Sequence, residues 1–203
     1  MNGKIVVNSN FERFINIFLE ENSKINLISH NDEQYLYEKH IYDSLGIKLF
    51  FDKYKKNFKN LLDIGCGGGF PCIPISIEYP ELQVTGIDSI RKKILSVDSM
   101  KEKLNLKNLI LICNRIENIN QDIKYDIVVS RAVADLAKIS EYALPHVNKN
   151  GYFIAYKSVK TEEEIAKALG IVKKFNSEII DIIEYTLPTE ELHTRKLVCI
   201  KKL

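Results

Sequence analysis

Residues 61–75 read LLDIGCGGGFPCIPI, a short apolar run that opens into four glycines and then two prolines, in a chain with nine glycines and five prolines altogether. An apolar run that ends in glycine has the pattern of a strand closing in a tight turn. Pro71 and Pro74 suit the first turn of a following helix, whose N–H groups have no intrahelical partners. The stretches that follow repeat this rhythm. Apolar runs at Leu61–Ile64, Val84–Ile87, Leu109–Cys113, Ile127–Val129 and Tyr152–Tyr156 alternate with amphipathic segments after Phe70 and over Arg91–Leu104, Leu136–Ala143 and Thr161–Leu169. Such βα alternation specifies a parallel sheet with helices on both faces. The end of the chain departs from it: Ile179–Thr186 and Lys196–Lys201 are separated only by the polar stretch 187–195, as in an antiparallel pair.

Upstream of residue 60 the pattern is helical. Phe11, Phe14, Ile15, Phe18 and Leu19 recur at helical spacing behind Asn8-Ser9-Asn10, and a second helix is predicted to start at Asn31, with Gln34 at capping-box spacing and Leu36, Ile41 and Leu45 facing inward. The segment KYKKNFK, residues 53–59, is read as a solvated linker rather than an RNA contact. With 203 residues the chain supports one α/β core and is too short for two full domains, so the expected organisation is a single unit with a helical cap over 1–59 and the core over 60–203.

Composition narrows the class further. No apolar run reaches the roughly 18–20 residues of a membrane span, and Met1-Asn2-Gly3-Lys4 has no apolar signal region, so a cytoplasmic protein is expected. Cys66, Cys72, Cys113 and Cys199 form no CxxC pair and the four histidines are scattered, which predicts reduced thiols and no metal site. A net charge of +2 does not by itself announce a nucleic-acid binder, so any basic face must be assembled by folding.

The glycine turn is the ligand-binding element, because open α/β sheets bind at the carboxyl ends of their strands. No GxxxxGK is present, which disfavours a nucleoside triphosphate. A dinucleotide fingerprint needs a small residue where Phe70 stands, which weakens a nicotinamide cofactor. What remains is Asp63-x-Gly65-x-Gly67-x-Gly69 with Asp88, 23 residues beyond Gly65, at the end of the second strand. Alternating glycines let the backbone approach a ligand closely, and the carboxylate can accept from both hydroxyls of a ribose; this pattern reads as an S-adenosylmethionine site.

Arg91, Arg115, Arg131 and Lys157 each follow a predicted strand and therefore share the rim that carries the cofactor. Clustered cations beside a methyl donor point to a polyanionic acceptor, with pairing to Asp88, Glu117 or Asp135 as the alternative for any one of them. Beyond the fourth strand the sequence is SRAVADL, residues 130–136, with neither the Asn-Pro-Pro-aromatic sequence of amino-methylating adenine enzymes nor the Pro-Cys of cytosine C5 enzymes; Pro71-Cys72 follows the wrong strand. Guanine N7, whose lone pair needs no deprotonation, suits such a site.

Along nearly its whole length the chain resembles the glucose-inhibited division protein B family (RsmG/GidB), the small-subunit rRNA guanine-N7 methyltransferases. The resemblance is carried by NLIS (26–29), KHIYDSL (39–45), DIGCGGGFPCIPISI (63–77), DSIRKK (88–93), NRIEN (114–118), YDIVVSRAVADL (125–136) and RKLVCIKK (195–202). It implies a Rossmann-like class I fold, a mostly parallel seven-stranded sheet with an antiparallel C-terminal strand and an N-terminal helical cap. It also implies S-adenosylmethionine contacts at Gly65, Gly67, Gly69, Phe70, Asp88, Ile116, Glu117 and Arg131, rRNA contacts at Arg91, Lys92, Arg115, Lys157 and Arg195, and as substrate the 530 loop of 16S rRNA within the small subunit, met by a monomeric enzyme. His40, Asp43 and Ser44 match the family's N-terminal helical motif, with contact to substrate and buttressing of the loop both open. Cys72 departs from the family's usual glycine, Ile28 from a threonine and Lys196 from a histidine, and the N-terminal segment is short for the family.

Overall fold

The computed structural model describes residues 5–158 and 161–203; the N-terminal tetrapeptide read above for a signal region lies outside them. Helix α1 (Glu12–Ile25) opens the chain, followed by a single turn, α2 (His30–Glu33), a π-helical segment (Leu36–Tyr42) and α3 (Ile47–Tyr54). The core then runs β1 (Asn60–Ile64), α4 (Cys72–Glu78), β2 (Gln83–Asp88), α5 (Arg91–Leu104), β3 (Leu109–Cys113), a 3₁₀ turn (Ile116–Asn118), β4 (Tyr125–Arg131), α6 (Leu136–Ala143), β5 (Val147–Lys157), α7 (Thr161–Lys174), β6 (Ser177–Leu187) and β7 (His193–Lys202). The sheet has the order β3-β2-β1-β4-β5-β7-β6, parallel throughout except that β7 runs antiparallel between β5 and β6. Strand order reverses between β1 and β4, so the carboxyl ends of those strands diverge and leave a crevice.

Most predicted elements sit where the apolar pattern placed them, with strand ends lengthened by a residue or more. The second helix is different. Ser29, not Asn31, is the cap: its Oγ accepts from the Asp32 amide and donates to Asp32 Oδ2, and Gln34 spends its amide on the Asn31 carbonyl. The chain then widens into the π-helical segment, in which Leu36 and Ile41, five residues apart, are both buried. That wider turn brings His40 and Asp43 toward the carboxyl end of β4; π-turns of this kind recur at functional sites.

The KYKKNFK segment is not a free linker. Lys53 and Tyr54 both reach Asp181, Lys56 donates to the Tyr152 hydroxyl, and Phe58 joins Phe50 and Tyr152 in an aromatic cluster. Helix α1 docks through Phe14 and Phe18, whose rings lie 5.8 and 5.0 Å from that of Phe70. Each fully buried phenylalanine contributes about 1.5–3 kcal/mol. Glu21, also on α1, is buried and accepts from Lys24, Lys103, Ser96 and Ser99, the last three on α5. Burial alone would raise its pKa, but the hydrogen bonds from the two lysines outweigh it and hold the carboxyl at about 2.

Candidate functional site: two cavities on one rim

The glycine turn is held from below by a carboxylate. Asp63, at the end of β1, is fully buried; its Oδ2 accepts from the Cys72 amide and so serves as a remote cap for α4, which has no cap from its own N-cap residue. Its Oδ1 has no hydrogen-bond partner among the described residues, and burial pushes its pKa up to about 7. Above it, Gly65, Gly67 and Gly69 adopt φ of +76°, +54° and +95°, the left-handed region that side chains avoid. A Cβ on Gly65 would sit 2.4 Å from Val133 Cγ2, whereas one on Gly67 would make only van der Waals contact, 3.9 Å from the Gly65 carbonyl oxygen. Asp88 closes the turn from the neighbouring strand: Oδ2 accepts from the Gly67 amide at 2.9 Å and Oδ1 from the Ile90 amide at 2.8 Å. Each oxygen keeps lone-pair capacity for a further donor.

Gly65, Gly67 and Asp88 line a cleft of about 690 Å³, together with Ile116, Glu117, Arg115 and Lys93. All the residues expected to touch the cofactor except Gly69 line it; Gly69 is buried behind the turn, against Ile73. Phe70 is buried and serves mainly to join the turn to α1, its ring also 5.2 Å from the His40 ring and 5.4 Å from Arg131 Cζ.

Arg131 ends β4 and turns inward. Its Nη1 donates to Asp43 Oδ2 at 2.9 Å and to the Lys39 carbonyl at 3.2 Å, and its Nη2 donates to His40 Nδ1 at 3.2 Å. Asp43 is buried and held on its other oxygen by the Tyr185 hydroxyl at 2.6 Å, with Arg195 Nε 3.8 Å away. Tyr156 donates to the Ser44 carbonyl, and the Ser44 hydroxyl to that of His40, so Ser44 buttresses the segment. Burial, and then the Arg131 charge, press the His40 pKa down to about 4. The imidazole is neutral at physiological pH.

Beyond this network lies a second cavity, about 550 Å³, lined by Lys39, Asp43, Tyr156, Lys157, His193 and Arg195 among others. His40, Arg131 and Ala132 line both cavities and form their common wall. The four rim cations therefore divide. Arg91 and Arg115 are exposed, as is Lys92, and none of the three makes an ion pair among the described residues. Arg131 and Lys157 are paired, but not with the carboxylates expected from sequence: Arg131 meets Asp43, and Lys157 meets Glu164 at 2.6 Å and the Ala134 carbonyl. Asp88 serves backbone amides, Asp135 caps α6 through the Lys138 amide, and Glu117 stands exposed on the cleft wall. Lys196, where the family usually has histidine, pairs with Glu184 across the β6–β7 ladder, away from Asp43.

Comparison with known proteins agrees with this geometry. The family model for rRNA small subunit methyltransferase G (GidB) matches residues 7–186. The chain belongs to the rRNA small subunit methyltransferase G family. Methyl transfer from S-adenosylmethionine is the chemistry of that family. The ribosomal RNA small subunit methyltransferase G of Staphylococcus saprophyticus is 38% identical over 195 residues, spanning 95% of this chain and 80% of that protein. Its namesake from Bacillus subtilis is 38% identical over 197 residues, spanning 95% and 81%. Among solved structures, an S-adenosylmethionine-dependent methyltransferase from Clostridium acetobutylicum superposes with TM-score 0.64 at 16% identity, covering 85% of this chain and 98% of that one. TYW2 of M. jannaschii in complex with AdoMet gives 0.59 at 15% identity over 72% and 70%. At such identities the structures show the fold alone, a Rossmann-like methyltransferase sheet. No helix among the described residues is long and apolar enough to cross a membrane.

Proposed function

We propose that this chain methylates N7 of a guanine in the 530 loop of 16S rRNA, acting as a monomer on the small ribosomal subunit in the cytoplasm. One observation carries the N7 reading within the rRNA methyltransferase family: among the described residues, the wall between the two cavities holds no group able to take a proton from a base. Arg131 is permanently charged and His40 already spends its Nδ1 lone pair on Arg131. A nucleophile with a free lone pair needs no such group, and guanine N7 has one.

Asp88, Glu117, Ile116 and the glycine turn would hold the adenosine part of the cofactor, and Arg131 and Phe70 bound the end of the cleft that faces the second cavity. When bound, S-adenosylmethionine supplies a sulfonium-linked methyl group as electrophile. The chain's task is to position the acceptor and exclude water; such positioning can supply on the order of 7–11 kcal/mol. Arg91 and Lys92 outside the cleft and Arg115 on its wall, with Lys157 and Arg195 at the second cavity, would meet rRNA phosphates. The test is transfer of labelled methyl to small subunits lacking the modification, with borohydride reduction and aniline cleavage to locate 7-methylguanosine. One cleavage in the 530 loop is expected; label elsewhere, or none despite cofactor binding, would overturn the assignment.

A further inference from the structure

Within the wall shared by the two cavities, one polar atom has no role in the scheme above. His40 Nε2 is buried and has no hydrogen-bond partner among the described residues. Its protonation follows from its neighbour: a guanidinium can only donate, so His40 Nδ1 accepts from Arg131 and the ring proton resides on Nε2. Asp43, on the far side of the guanidinium, keeps that donor aimed at the ring. A buried N–H without an acceptor costs free energy that a native fold does not leave uncompensated without reason. The residue after Arg131 is also unusual: Ala132, which lines both cavities as His40 does, holds φ at 56°, a left-handed conformation unfavourable for alanine.

We propose that His40 is the residue that selects guanine, its Nε2–H donating to O6 of the acceptor base when the strained Ala132 turn yields to admit it. This rests on the guanine-N7 reading. O6 and N7 are adjacent acceptors on one edge of guanine, whereas adenine presents an amino donor in place of O6. A fixed, uncharged donor therefore grips O6, leaves the N7 lone pair free for the methyl group, and meets adenine donor against donor. Charge on the ring would reverse neither preference but would repel the positive charge that N7 acquires, and the burial that keeps His40 neutral avoids this.

The test uses small subunits assembled with 16S rRNA that carries either guanine or 2-aminopurine at the methylated position, since 2-aminopurine keeps N7 and lacks O6. With the wild-type protein, loss of O6 is expected to slow single-turnover transfer about 10- to 100-fold. H40A should lose the same factor on guanine and nothing more on 2-aminopurine, with its Kd for S-adenosylmethionine unchanged; H40Q, which retains an amide donor, should recover part of the discrimination. Equal wild-type rates on the two bases would overturn the proposal without any variant. It would fall equally if H40A still distinguished the bases, or if its defect lay in cofactor affinity, which would assign Nε2–H to the cofactor's carboxylate. Absence of 7-methylguanosine from wild-type reactions on guanine subunits would instead remove the N7 reading itself, and the proposal with it.

Discussion

The two cavities share a wall but are built in opposite ways. The cofactor cleft is largely a product of backbone: three left-handed glycines, an amide held by Asp88 and a helix start held by Asp63, most of it within residues 63–72. The second cavity is built of side chains from remote parts of the chain, with Asp43 in the cap, Arg131 on β4, Tyr185 on β6 and Arg195 on β7 converging on one carboxylate. On the proposed reading, donor binding depends on local conformation, while acceptor handling depends on how the cap docks against the sheet.

The two halves can be separated by mutation. Arg131 belongs to both, so R131A should show the largest effect: a loss of about 10²–10³ in methyl transfer, measured by single turnover, comparable to removal of a preorganised donor elsewhere. Unchanged turnover would take Arg131 out of the site. The cap's attachment is tested next by E21Q. The folded carboxyl sits at about 2 and its ordinary value is 4.5, so its contribution is present above pH 4.5 and is lost as pH falls from there through 2. Urea melts should show E21Q about 2–3 kcal/mol less stable than wild type at pH 7, the gap closing with acid. A gap that stayed constant with pH would mean that Glu21 acts through packing rather than charge.

G65A addresses the cofactor half alone. Its Cβ would force Val133 aside and occupy a left-handed backbone, and calorimetric titration should show S-adenosylmethionine binding weakened about tenfold. Binding as tight as wild type would show that the turn adapts.

The same division governs what could be read from sequence. The glycine turn, Asp88 and the strand succession were legible because they depend on residues near one another and on the period of apolar positions. Asp43 was visible as part of a motif, but its partnership with Arg131 spans 88 residues and follows from cap docking. Glu164, which pairs with Lys157 and also accepts from the Leu136 amide, carried no signal, since a glutamate in the first turn of a helix is ordinary. Glu21 likewise carried no signal, since its burial depends on α5 packing against α1. The Asn31 cap was misplaced because the Asn31–Gln34 spacing fits a capping box as well as Ser29–Asp32 does, and only the path of the chain after Ile28 decides between them.

The smallest change is also the most direct test of the claim that the halves are separable. Y185F removes one hydroxyl, 2.6 Å from Asp43 and absent from the cofactor cleft. It leaves a buried carboxylate oxygen short of a donor, a loss of about 1–1.5 kcal/mol. Measured side by side on the same preparation, S-adenosylmethionine affinity should stay within about twofold while single-turnover transfer to small subunits falls about tenfold. A parallel loss of both would contradict the account, because the carboxylate network would then support the cofactor cleft as much as the acceptor cavity.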